Sequence, residues 1–253
     1  MNKVAAVTFS FWIMKMCATT LGETAGDLLS MTLNVGYGLS SIILISIFLV
    51  SVVAQVRAKT FHPALYWTVI LTTSTAGTTM SDFMDRSLAL GYAAGSTILV
   101  SGLVLVLVAW RLTEGNLSVS NIQTKRAETF YWTAILISNT LGTAFGDFLS
   151  DNSGLGFFGG AALTGGIIGL VALAAYFTPI NRVLLFWIAF VLTRPFGATF
   201  GDLLTKTSDK GGLGFGTIGS SAVLAVILVG LVVFTSWRAG KERRGGQAIV
   251  RDY

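Results

Sequence analysis

Long apolar runs, broken at regular intervals by short polar stretches, set the pattern of the chain. Eight such runs lie at roughly 8–31, 37–56, 63–86, 92–111, 129–151, 157–177, 183–206 and 215–237. Each is close to the ~20 residues a helix needs to cross a hydrocarbon core. The runs are continuous rather than alternating, which predicts helices and not the strands of a membrane β-barrel. The first run of each pair carries an Asp near its C-terminal end, and the second is almost purely apolar.

The pairs are four copies of one unit. Four segments align without gaps: Phe11-Trp12 to Asp27, Tyr66-Trp67 to Asp82, Tyr131-Trp132 to Asp147, and Phe186-Trp187 to Asp202. In each, the Asp follows the Trp by 15 residues and a Gly (Gly22, Gly77, Gly142, Gly197) stands five before the Asp. A small residue, Gly26, Ser81, Gly146 or Gly201, directly precedes the Asp. A Gly-aromatic pair then opens the second run, at Gly36-Tyr37, Gly91-Tyr92, Gly156-Phe157 and Gly214-Phe215, with three extra residues before the last. The expected fold class is an all-α integral membrane protein, with eight transmembrane helices as four parallel two-helix repeats. The repeats fall at 8–56, 63–111, 129–177 and 183–237 within a single membrane domain, 1–253. A pseudo-fourfold ring, or two halves related by a pseudo-twofold, would satisfy this pattern.

Composition points the same way. Charged residues are 11% of the chain, against about 25% in soluble proteins, and mean hydropathy is +0.73. Too few charges remain to cover a water-soluble surface, which excludes a soluble enzyme, a DNA-binding domain and a disulfide-stapled module. Cys17 has no second cysteine to pair with, and His62 alone cannot build a metal site. The net charge of +5 comes from residues between the apolar runs, where they act as topological anchors rather than as a nucleic-acid patch. Twelve Lys and Arg lie at the termini and between units, against three (Arg86, Lys206, Lys210) inside units. That asymmetry places both termini, the 112–128 loop and the basic 238–253 tail in the cytoplasm. The first run continues through Lys15, Glu23 and Asp27 with no small-residue cleavage site, so it is expected to be retained. Trp12, Trp67, Trp132 and Trp187 are expected in an interfacial belt.

Ionisable residues inside apolar runs are costly, and they mark the candidate chemistry. Asp27, Asp82, Asp147 and Asp202 should share one depth, as a ring of four. Hydroxyl-bearing positions extend their face: Thr20, Thr75 and Thr140 seven residues before, Thr24, Thr79 and Thr199 three before, and Ser30, Asp85, Ser150 and Thr205 three after. Glu23, four residues before Asp27, adds a carboxylate, and Asp85 and Asp151 lie just beyond their repeat Asp. Arg194 replaces Thr19, Ser74 and Asn139 in the fourth copy, as an internal counter-ion able to pair with Glu23. Carboxylates, hydroxyls and carbonyls are hard donors suited to Mg²⁺, Ca²⁺ or Mn²⁺ and unsuited to zinc or copper. The glycine seams allow close backbone approach.

The repeated Trp…Gly-x-x-x-Gly-Asp unit resembles a family of bacterial inner-membrane proteins described as uncharacterised membrane-anchored proteins, and the resemblance runs from Phe11 to Trp237. It implies a multi-pass protein of the bacterial inner membrane. A weaker likeness is to small manganese and calcium exchangers with Glu-x-Gly-Asp repeats. The nearest stretch here, Glu23-Thr24-Ala25-Gly26-Asp27, is one residue longer and lacks the following basic residue.

The expected function is a secondary transporter of a divalent cation, Mn²⁺ ahead of Ca²⁺ or Mg²⁺, exporting metal in exchange for protons. Its metal ligands are Asp27, Asp82, Asp147, Asp202 and Glu23, with Arg194, Asp85, Asp151, Thr24, Thr79 and Thr199 as accessory groups. The cation is substrate; no cofactor or nucleic acid is expected, and a homo-oligomer is left open. No P-loop is present, so the energy source is an ion gradient. A passive channel and a membrane scaffold or sensor are the alternatives. An intramembrane aspartyl protease stands behind them: its Gly-x-Gly-Asp lacks the first Gly in all four copies.

Overall fold

A computed structural model describes residues 5–117, 122 and 124–251, with side chains to residue 238. Lys3, residues 118–121 and 123 of the expected 112–128 loop, and the side chains of the basic tail past Arg238 lie outside the described residues. The described residues form eight α-helices and no strand. They are α1 (Phe9–Asp27), α2 (Tyr37–Arg57), α3 (Pro63–Asp82), α4 (Gly91–Glu114), α5 (Lys125–Asp147), α6 (Gly156–Phe177), α7 (Arg182–Thr205) and α8 (Thr217–Arg251). Five of them, α2, α4, α6, α7 and the first part of α8, are long and apolar enough to cross a membrane. Helices α1, α3 and α5 carry the polar face that lowers their hydropathy.

The odd-numbered helices make the inner ring: α1 packs on α3, α3 on α5, α5 on α7, and α7 back on α1. Each even-numbered helix leaves its own unit and packs on the next unit's inner helix. Thus α2 covers α3, α4 covers α5, α6 covers α7, and α8 closes the circle on α1. The outer helices turn side chains such as Ile42, Val50, Leu105, Leu170 and Val226 outward. The result is an apolar exterior around a polar interior.

The repeated glycines explain the connection within each unit. In the first three copies, five residues after the Asp form one wide π-helical turn (Leu28–Thr32, Phe83–Ser87, Phe148–Asn152). The glycine of each Gly-aromatic pair then adopts positive φ, at +81°, +69°, +65° and +73° for Gly36, Gly91, Gly156 and Gly214. Only a residue without Cβ reverses the chain there at low cost. The fourth copy departs from the pattern. Helix α7 stays α-helical to Thr205 and stops, and the inserted residues fold back on it through Leu213 N–H to Leu203 C=O (2.7 Å) and Gly214 N–H to Lys206 C=O (2.9 Å).

Glycine also sets the spacing of the inner ring. A Cβ on Gly26 would lie 2.9 Å from Thr78 Cβ, one on Gly146 2.7 Å from Ala198 Cβ, and one on Gly201 2.9 Å from Glu23 Cβ. Helices α1, α5 and α7 therefore each present a glycine to the next helix at the position four before that helix's Asp, while α3 carries Ser81 there and sets Gly77 against Asn139 of α5. This contact turns positions Asp, Asp−4, Asp−8, Asp−12 and Asp−16 toward the shared axis, at one level per helical turn.

Two expectations are corrected here. Trp67 and Trp132 do not keep their indoles wet: both are buried, in an aromatic cluster with Phe11, Tyr66, Tyr131 and Phe186. The indole is large and flat enough to fill the converging helix ends, and packing outweighs wetting of its N–H. The segment between α4 and α5 is also shorter than 112–128, because α4 runs to Glu114 and Thr124 caps α5. Parts of it pack on the aromatic end: Ile122 is buried, and Leu117 C=O accepts from the Trp187 indole (3.3 Å).

Candidate functional site

Five levels stack along the axis of the inner ring. The first is aromatic: Phe11, Tyr66, Tyr131 and Phe186, with the Tyr66 and Tyr131 hydroxyls 2.8 Å apart. One turn on come Lys15, Ile70, Ile135 and Phe190, then Thr19, Ser74, Asn139 and Arg194, then Glu23, Thr78, Thr143 and Ala198. The fifth level is Asp27, Asp82, Asp147 and Asp202. All twelve side chains of the second to fourth levels are buried, as are the four Asp.

The four carboxylates do not stand alone. Lys206 Nζ lies 2.6 Å from Asp27 Oδ2 and 3.1 Å from Asp202 Oδ1. Arg86 Nε lies 3.1 Å from Asp82 Oδ1, and its Nη2 3.6 Å from Asp147 Oδ2. Both bases sit four residues after their own Asp, one helical turn farther out, so a single side chain reaches its own carboxylate and that of the next copy. Copies one and three carry Met31 and Asp151 at the same position. The ring of four is thus two pairs, each closed by one base. Arg86 also donates to the Tyr37 hydroxyl (3.2 Å). Its side chain is 37% exposed and that of Lys206 22%, so the acid end reaches the surface past these two residues.

One turn inward, Arg194 crosses the axis from α7. Its Nη2 donates to Glu23 Oε2 (2.8 Å) and to Thr78 Oγ1, and its Nη1 to Thr19 C=O (3.0 Å). Glu23 and Arg194 are both buried, and the expected pairing is present. Glu23 also accepts from Thr78 Oγ1 (3.3 Å). Glu23, Asp147 and Asp202 each offer a carboxylate oxygen within 4.8 Å of the others, a separation one cation could bridge.

The accessory residues divide. Thr24 accepts from Ser221 of α8 (2.8 Å), and Thr199 faces Gly160 of α6, so both point to outer helices and not to the axis. Thr79 is buried and returns its hydroxyl to Ala76 C=O (3.3 Å). The glycine seams rotate the lumen face from positions −7 and −3 to −8 and −4, which is why these hydroxyls leave it. Asp85 is buried beside Ser81 (3.4 Å), against Gly95 of α4. Asp151 is exposed at the mouth, where Tyr92 donates to it (3.0 Å). Lys206 and Arg86, counted from sequence only among the basic residues inside units, are the chief partners of the acids; their spacing of four from a repeat Asp was the signal. Asp209 stays at the surface, its carboxyl held below the usual range by a hydrogen bond with Thr207.

Four segments of the chain, residues 10–61, 65–116, 130–181 and 185–241, match one family model, described as Repeat of Unknown Function (DUF347). No curated protein and no solved structure matches the chain.

Proposed function

The chain belongs to the DUF347 repeat family, and we propose that it is an integral protein of the bacterial inner membrane that transports a divalent metal cation. One observation carries this reading. The acid end of the lumen holds five carboxylates (Glu23, Asp27, Asp82, Asp147, Asp202) against three bases (Arg86, Arg194, Lys206), an excess of two negative charges. Buried charge of that size must be neutralised. One divalent cation or two protons supply the same charge, so the two compete for one site, and that competition is the coupling of a metal–proton exchanger.

Glu23, Asp147 and Asp202 are the central ligands. Asp27 and Asp82 hold the bases when no metal is bound, and metal entry draws Lys206 away from Asp202. Carboxylate donors favour hard cations. Among these Mg²⁺ sheds its water reluctantly and Ca²⁺ calls for six to eight oxygens, so Mn²⁺ suits three carboxylates best. The termini face the cytoplasm by the distribution of Lys and Arg, which puts the aromatic level inside and Arg86 and Lys206 outside. The closed aromatic level and the Arg194 crossing favour alternating access over an open pore, and export of metal against inward protons fits the gradient available.

Flux into proteoliposomes tests the proposal. Saturable Mn²⁺ uptake with opposite proton movement, abolished in Asp147→Asn, is the expected result. Folded protein that neither binds nor moves Mn²⁺, Ca²⁺ or Mg²⁺ would overturn it. Metal flux without proton movement would make the protein a channel.

A further inference from the structure

The lumen's inner polar levels are left over by the acid chemistry. Lys15 Nζ is fully buried with no hydrogen-bond partner among the described residues, 4.1 Å from the centroid of the Phe190 ring. One turn toward the acids, about 6 Å along the axis, Ser74 Oγ, both amide atoms of Asn139 and Arg194 Nε are likewise buried and unpartnered. Lys15 comes from α1, Ser74 from α3, Asn139 from α5 and Arg194 from α7. Helices α1, α5 and α7 thus bring unmet polar groups to the same stretch of the axis, while Ser74 Oγ is turned against Gly22 in the seam between α1 and α3. Arg194 ties the level together, since its other nitrogens reach Thr19 of α1 and Ser74 C=O of α3 (3.5 Å).

An unpaired ammonium in a buried site is costly, and buried polar groups are nearly always satisfied by protein, water or ligand. The identity of these groups selects among the remaining choices. Lys15 Nζ, Arg194 Nε and Asn139 Nδ2 are donors, and two of these three side chains are basic. The nearest carboxylate along the axis, Glu23, is already engaged by Arg194 Nη2 at 2.8 Å. Ile70, Ile135 and Phe190 complete the Lys15 level with buried apolar side chains, so a ligand at these donors would be compact and carry few donors of its own.

We propose that Lys15, Asn139 and Arg194 form a binding site for a small monovalent inorganic anion of the halide class, on the axis between the acids and the aromatic seal. The site uses none of the five carboxylates and meets the acid end only through Arg194, whose Nη2 holds Glu23 while its Nε is left for the anion.

Equilibrium binding of ³⁶Cl⁻ to the purified full chain, in gluconate buffer without divalent metal, tests it. Saturable binding displaced by bromide and not by gluconate is expected, weakened about tenfold or more in Lys15→Met. Asn139→Leu, which keeps Lys15 and Arg194, should weaken it too and serves if the Lys15 variant does not fold; melting curves establish folding for each. Absence of saturable binding to folded wild-type protein, meaning that water alone fills the level, would overturn the proposal. So would unchanged affinity in both folded variants, which would place the anion elsewhere. Mn²⁺ binding measured in the same buffer reports separately on the acid site.

Discussion

Lys206, the residue after α7, joins Asp27 of α1 across the seam where the last repeat meets the first, at 2.6 Å, while holding its own Asp202 at 3.1 Å. Arg86 does the same between the second and third repeats. A fourfold backbone therefore carries a twofold arrangement of charge, and the two halves differ in the nature of the base. Arginine offers a rigid planar fork and lysine a compact ammonium on a flexible stem. Lys206 also follows the end of α7 in extended backbone, whereas Arg86 lies within a π-helical turn. If the acids carry a metal as proposed, the Lys206 half is the one expected to release its base.

Removing that cation should expose the charge it holds. In Lys206→Met, Asp27 and Asp202 lose their common base, and the metal-free protein should lose about 2 kcal/mol of stability. This is below the ~3–5 kcal/mol of a fully buried pair because Lys206 keeps 22% of its side chain exposed. Mn²⁺ should restore the melting temperature and bind more tightly than to wild type. Melting curves with and without metal check both effects; destabilisation that metal does not relieve would count against the exchange of Lys206 for cargo.

The Glu23–Arg194 pair is fully enclosed, so either single change leaves a buried charge uncompensated. Glu23→Gln and Arg194→Met should each cost about 3–5 kcal/mol, and the double variant less than the sum of the two. A double-mutant cycle on chemical denaturation reads the coupling; additive losses would mean the two charges are stabilised independently.

Acidification should weaken metal binding. Protons would add to the lumen carboxylates proposed as ligands, so metal and protons should oppose each other. Apparent Mn²⁺ affinity should fall as pH is lowered and rise as it is raised, by isothermal titration across the pH range. A flat profile would remove the competition on which exchange depends.

The glycine seam gives a contrast between two alanine substitutions. Gly146→Ala places a Cβ 2.7 Å from Ala198 Cβ and should cost about 1–3 kcal/mol by pushing α5 and α7 apart. Gly230→Ala meets nothing within 4 Å and should be neutral or mildly stabilising. Thermal melts of the two variants side by side decide the matter.

Much of this arrangement was legible in the order of residues. The fifteen-residue spacing of Trp and Asp and the Gly-aromatic pairs marked the helices to within a few positions. The four Asp do share one level, and Glu23 does meet Arg194. The face of the lumen was less legible, because on a straight helical wheel centred on Asp positions −3 and −4 lie at about 60° and 40°, while −7 at about 20° outranks −8 at about 80°. Packing of Gly201 against Glu23, and of its equivalents on their neighbours, rotates each helix and decides between them. The roles of Lys206 and Arg86 were hidden for a related reason. Each reaches a carboxylate on a different helix, and no sequence distance records that α7 lies beside α1. The tryptophans followed an average preference for wet indoles at the interface, which the converging helix ends overrode for Trp67 and Trp132.

Every outer helix in this fold is lent forward to the next unit, and α8 covers α1. The first inner helix to be synthesised is therefore the last to receive its cover, and Thr24 waits for Ser221, nearly two hundred residues downstream. A chain cut after its second repeat would hold one inner helix, α1, with no cover and one outer helix, α4, with nothing to lie against. Two such halves would complete each other, so the architecture carries within it the plan of a dimer made from half-length subunits.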